Sequence, residues 1–179
     1  TTPPVISAAG AAATINCPAV PVFTAPTATD NCAPAPSVVL VSDVTTPGTC
    51  AGTYVETRTW KAVDACGNES GTVSQSITVQ DVTAPSITCP AAVTVQCASA
   101  VPAPDTNSVT ASDTCGTVSV TFEGDVLSAS NCVNHYTLTR TYKATDACGN
   151  SATCTQTITV DDTTPPVISA AGAAATINC

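Results

Sequence analysis

The first seventeen residues, TTPPVISAAGAAATINC, return unchanged as residues 163–179, an offset of 162 residues (163 − 1). Self-similarity at a fixed period marks architectures built by stacking one supersecondary unit on the next. Inside that unit lies a looser repeat of half the length. VQD ending at Asp81 matches VDD ending at Asp162, TRTWKAVDACGN (57–68) matches TRTYKATDACGN (139–150), and SQSITV (74–79) matches TQTITV (155–160). The chain therefore divides into repeat A, residues 1–81, repeat B, residues 82–162, and the opening of a further repeat A, residues 163–179. An identical return of this kind, in a sequence with no Met, is expected of a slice through a long array of two-domain units.

Each repeat is expected to be built from strands. Thr supplies 33 of the 179 residues, Val is abundant and 44% of residues are hydrophobic, and β-branched side chains suit a pleated surface. In repeat B, period-2 alternation predicts strands over 92–97, 117–122, 135–145 and 153–160, and the DACGN turn closes the last two into a hairpin. No stretch has convincing helical spacing. About 80 residues with several strands and frequent turn signals predict an all-β fold, an immunoglobulin-like sandwich repeated head to tail. A domain of that size has a thin core and calls for staples.

Several of these segments resemble the hyalin-repeat family. The opening DVTAPSITCP (81–90), TATDNC (27–32), the strand TRTYKATDACGN and the closing ATCTQTITV (152–160) carry the likeness, which covers both repeats and the trailing fragment. The DACGN version resembles the form found in giant repetitive surface proteins of Bacteroidota. Membership would imply an immunoglobulin-like fold, an adhesive or structural role and no enzymatic activity.

Eleven cysteines point to an oxidising compartment. By motif, Cys17 matches Cys97, Cys32 matches Cys115, Cys50 matches Cys132 and Cys66 matches Cys148. Repeat B adds Cys89 and Cys154, while repeat A has Ala8 at the first position and Thr72 and Val73 near the second. Cysteines that are present or absent together are most simply partners, so Cys89–Cys154 is expected. The DACGN turns, together with Cys32 and Cys115, fall at the N-terminal pole of their domains. The Cys17 and Cys97 strands end at the opposite pole, beside Cys50 and Cys132. Pairing within each pole predicts Cys17–Cys50, Cys32–Cys66, Cys97–Cys132 and Cys115–Cys148. Cys179, the counterpart of Cys17, is left to a partner further along an array.

Other chemistries are disfavoured. Four basic residues against thirteen acidic ones, a net charge of −9, give no electrostatic footprint for nucleic acid. No apolar run reaches membrane-spanning length. His135 is the sole imidazole and no CxxC occurs, which argues against zinc and against a hydrolytic triad. Alternation places Arg140 on the strand face of Tyr136, Leu138 and Tyr142, where its stem would cover aromatic rings. Calcium is the one cofactor the pattern suggests. Asp81 at the end of repeat A would approach Asp113, Asp146 and Asn150 at the N-terminal pole of repeat B, collecting the oxygens that Ca²⁺ takes. We favour the simpler reading, in which these residues cap Asx-turns.

The expected function is that of a structural repeat in a long extracellular filament or adhesin stalk at the cell surface, serving attachment, gliding or prey capture. A spacer needs copy number rather than a unique site. Its partners would be neighbouring repeats and parallel copies of the same protein. The alternative is a calcium-dependent, glycan-binding or protein-binding adhesion module acting through its loops. With six aromatics in total, the exposed aromatic cluster such a module favours is missing.

Overall fold

The computed structural model describes residues 2–32, 34–130 and 132–168. Most of the third segment, 163–179, including Cys179, lies outside the described residues. Among the described residues all regular structure is β apart from two short 3-10 turns, and no helix is long and apolar enough to cross a membrane. The fold is an all-β, disulfide-stapled sandwich.

Repeat A contributes β1 (Val5–Ile6), β2 (Ala13–Asn16), β3 (Ala28–Thr29), β4 (Ser37–Pro47), β5 (Tyr54–Val63) and β6 (Val73–Gln80). Repeat B contributes β7 (Ser86–Thr88), β8 (Val93–Val95), β9 (Thr110–Ser112), β10 (Val118–Leu127), β11 (His135–Asp146) and β12 (Ser151–Asp161). The two sets share one topology. Each has a four-stranded sheet, ordered β2-β6-β5-β4 or β8-β12-β11-β10, and a two-stranded one, β1-β3 or β7-β9. The outer pairs β2/β6 and β8/β12 are parallel and the other pairings antiparallel. Both long edge strands are bulged at equivalent places, between Leu40 and Ser42 and between Phe122 and Gly124. A bulge twists the edge and blunts it against unwanted strand pairing.

The four strands expected in repeat B are present. The expectation missed β7 and β9, each only three residues long. Such strands are too short to show alternation, and pairing with each other is what defines them.

The core follows the period of two. On β11, Leu138, Arg140, Tyr142, Ala144 and Asp146 point inward in sequence, facing Gln156, Ile158 and Val160 of β12. In repeat A, Trp60, Ala62, Ile77 and Val79 do the same. Among the described residues, polar side chains enter the core only with partners. Gln75 Nε2 donates to the Ala11 carbonyl, and its Oε1 accepts from the Thr24 amide. Gln156 likewise donates to the Ala91 carbonyl. The two glutamines tie the loop after the first strand to the main sheet, a role that nothing in their sequence spacing announces.

Arg140 lies on the expected face but is far more buried than a snorkelling arginine, at 2% exposure. Its Nε and Nη2 form a bidentate pair with Asp125, both at 2.9 Å, and Nη1 donates to the Pro102 carbonyl at 2.8 Å. The hydrogen bonds it donates to Asp125 hold the guanidinium pKa above its ordinary value, against the cost of burial. The ring it covers is Phe122, 5.8 Å away, and not a tyrosine. The counterpart Arg58 sits 4.3 Å over Phe23 and pairs with Asp43 and Glu56, with its side chain 36% exposed.

Removing one partner of a buried ion pair strands the other, whereas an exposed pair contributes little. Asp125→Ala, which leaves the buried Arg140 guanidinium without its carboxylate, should therefore cost about 3–5 kcal/mol, and Asp43→Ala beside the exposed Arg58 at most about 1 kcal/mol. Denaturant titration of the two variants checks this, and equal losses would contradict it.

Candidate functional site at the junction of the repeats

At the N-terminal pole of repeat B, the chain turns from β11 to β12 through Asp146-Ala147-Cys148-Gly149-Asn150. Asp146 Oδ1 accepts from the amides of Cys148 (2.8 Å) and Asn150 (2.9 Å), and its Oδ2 from Asn150 Nδ2 (2.9 Å). Gly149, at φ +91°, supplies the left-handed step the turn requires. Burial pushes the Asp146 carboxyl up, but the Asn150 side chain and three backbone amides outweigh it and hold the pKa below its ordinary value. Close by, the Cys115 amide donates to Asp113 Oδ1 at 2.7 Å.

At the C-terminal pole of repeat A, Cys17 follows directly on β2 with its amide bonded to the Gln80 carbonyl, 2.8 Å. Cys50 opens a tight turn closed by Thr53, whose Oγ1 donates to the Cys50 carbonyl at 2.8 Å. Within that turn Gly52 has φ +79°.

The two poles meet, and disulfides cross between them. Cys17 is bonded to Cys115 and Cys50 to Cys148, with Cα–Cα distances of 5.9 and 5.1 Å. Both bridges join residues 98 apart in sequence. Asn150 Nδ2 adds a 3.2 Å bond to the carbonyl of Asp81, the last residue before the linker. Packing is close: a Cβ on Gly52 would collide with the Cys115 carbonyl oxygen, and one on Gly116 would touch Ala51 and Ala147.

The cysteine pairing expected from sequence is thus corrected. Cys17 and Cys50 are not bonded to each other, nor are Cys115 and Cys148. Cys32, Cys66, Cys97 and Cys132 are exposed thiols, so Cys32–Cys66 and Cys97–Cys132 are absent too. The poles themselves lie where the strand directions placed them. The pairing differs because stacking presents two thiols of one pole to two of the next. Cys89 and Cys154 are joined inside repeat B, at a Cα–Cα distance of 5.7 Å. In repeat A, Trp60 pairs with Val73 where Tyr142 pairs with Cys154.

The proposed calcium ligands do not form a cage. Asp81, Asp113 and Cys115 place ligand atoms within 4.8 Å of one another, but the Cys115 sulfur is committed to its disulfide. Asp146 has both oxygens engaged by its own turn, and Asn150 turns its NH₂ rather than its oxygen toward Asp81. Two carboxylates fall well short of the ~6–8 oxygens of a calcium site. His135 sits on the surface, 3.0 Å from Asp161.

Residues 85–160 match the family model of HYR-like domains with four cysteines. Among curated proteins none matches the sequence. Solved structures similar to it include Drosophila N-cadherin EC1-4 (13% identity, 88% of this chain and 49% of that one, TM-score 0.41). Protocadherin gamma B2 domains 3-6 are another (14%, 90% and 52%, TM-score 0.40). The chain spans about half the length of these structures.

Two outcomes follow. Disulfide mapping of the native protein should recover peptides linking Cys17 to Cys115 and Cys50 to Cys148, and Gly52→Ala should impair both bridges. Asp146, with its lowered pKa, contributes stability that is complete above the ordinary value of 3.8 and is lost as pH falls below it. The melting temperature should therefore hold from about pH 7 to 5 and drop below about 4, and Asn150→Ala should weaken that acid dependence.

Proposed function

We propose that the chain is a structural module of a long extracellular surface filament or adhesin stalk, one that holds an adhesive tip away from the cell during attachment, gliding or prey capture. The observation that carries this reading is the doubly cross-linked junction. One disulfide between two domains leaves a swivel, whereas two spaced bridges remove rotation and bending together. A catalytic or regulatory pair of domains gains little from that constraint, and a spacer gains its reach.

Three further features support the reading. Disulfides persist in oxidising compartments, outside the cell above all. The 162-residue return multiplies length without adding chemistry. The described surface gathers no nucleophile, base and cleft of the kind an enzyme uses, and we read the module as non-enzymatic. Neighbouring repeats are its first partners, and parallel copies of the same protein its second. The alternative, adhesion through the loops themselves with or without calcium, draws on the approach of Asp81 to Asp113.

Cell-surface display separates the two readings. Doubling the number of 162-residue units should lengthen the appendage in proportion, and substitutions in the solvent-facing loops should leave attachment unchanged. Loss of attachment on loop substitution, at constant length, would favour the adhesive alternative.

Force provides a second test. In the oxidised protein, tension passes from Cys17 to Cys115, back along the chain to Cys89 and across to Cys154, so residues 18–88 and 116–153 are shielded. Reduction should lengthen the fully extended molecule by about 110 residues, or ~370 Å at ~3.4 Å per residue. Single-molecule pulling with and without reductant reads this directly, and an unchanged contour length would remove the support for a rigid stalk.

A further inference from the structure

The four exposed thiols are the two unmatched halves of the junction already described. We infer that Cys97 and Cys132 on repeat B form a covalent docking end for Cys32 and Cys66 of another copy of repeat A, through bridges Cys97–Cys32 and Cys132–Cys66. The inference does not depend on the filament reading, since it concerns which cysteines can pair.

The DACGN turn at the N-terminal pole of repeat A reproduces that of repeat B bond for bond. Asp64 Oδ1 accepts from the amides of Cys66 (2.9 Å) and Asn68 (2.8 Å), and its Oδ2 from Asn68 Nδ2 (2.7 Å). These match the three bonds of Asp146 with Cys148 and Asn150. Gly67 has φ +84° where Gly149 has +91°. Cys32 and Cys66 line one small cleft with Asp30 and Asp64, as Cys115 and Cys148 stand beside Asp113 and Asp146.

The C-terminal pole of repeat B likewise resembles that of repeat A. Cys132 opens a turn in which the His135 amide donates to its carbonyl, 3.2 Å, as the Thr53 amide does to Cys50, 3.3 Å. The Ala98 amide bonds to Asn134 Oδ1 at 3.0 Å, which holds the Cys97 loop against the Cys132 turn. Val133, the counterpart of Ala51, is 79% exposed and has nothing to cover it. Sequence spacing agrees. With a period of 162, Cys32 of a following unit lies 97 residues beyond Cys97 (32 + 162 − 97) and its Cys66 lies 96 beyond Cys132 (66 + 162 − 132), against 98 for both closed bridges.

The second junction differs in one respect. Asn134 stands where the first has Gly52, and among the described residues no non-glycine has positive φ. The backbone contact at Gly52 is therefore not repeated, and the disulfides carry the similarity. Each bridge forms from two thiols by exchange with an external disulfide. One S–S bond is made and one broken, and the oxidant leaves as two thiols with the protons and electrons of the pair.

The test uses the full chain, extended past Cys179 by residues 18–162 so that a second unit is complete, and held in oxidised glutathione. After alkylation of free thiols, peptide mapping should find Cys97 and Cys132 of the first unit bonded to Cys32 and Cys66 of the second. Cys97–Cys132 or Cys32–Cys66 bridges, or all four thiols alkylated, would overturn the inference. A Cys97→Ser variant decides the partner independently. It should leave Cys32 of the second unit alkylated and Cys132 still bridged, whereas an alkylated Cys132 would mean pairing within the pole.

Discussion

Everything distinctive about this molecule depends on the pair of disulfides that crosses from one domain to the next. A small sandwich usually spends its cysteines on itself, because its core is thin and a cross-link within the domain restricts the unfolded chain. Here, among the described residues, only Cys89–Cys154 is used that way. Closing a loop of 98 residues removes about 4–5 kcal/mol of unfolded-state entropy on the chain-entropy account, and the second bridge, between ends already held, removes less. That stabilisation belongs to neither domain alone. It couples their unfolding, so that a domain pulled or heated is held by its neighbour.

The local chemistry of the poles serves that coupling. Asp146 and Asn150 shape a turn that presents Cys148 in one direction, and Asn150 then reaches across to the Asp81 carbonyl. The same residues that suggested a calcium site are occupied in holding a sulfur atom in place. A covalent junction fixes the orientation of two domains without depending on the ionic composition of the surroundings. Gly52 and Gly116 allow the two backbones to approach closely enough for the sulfurs to meet.

Much of the fold was legible in the sequence because its signals are local and repeated. The alternation of Leu138, Arg140, Tyr142 and Ala144 states which face is inside, and the DACGN turn states where the chain reverses. Strand direction states which cysteines share a pole, Cys17 with Cys50 and Cys115 with Cys148. What could not be read was the pairing across the poles, since 17 with 50 and 17 with 115 are equally consistent with composition and spacing. Only the distance between stacked domains chooses between them. The clue in the sequence was a negative one. Ten of the eleven cysteines could be paired inside domains, and nothing in that arrangement explained why the shared set numbered four at matching poles and the odd set two.

The same reasoning explains why repeat A tolerates losing the inner bridge. Trp60 fills the core where repeat B has Tyr142 beside the Cys89–Cys154 link; both rings meet a phenylalanine edge-on, Phe23 at 6.3 Å and Phe122 at 6.1 Å, so the difference is the larger indole. A larger aromatic provides packing where the cross-link is absent. The inner bridge is thus exchangeable for apolar volume, because both act on one domain's own stability. The junction bridges are not exchangeable in that way. Apolar contact at a pole as small as Ala51, Gly116 and Ala147 cannot fix the angle between two domains, and a covalent bond can.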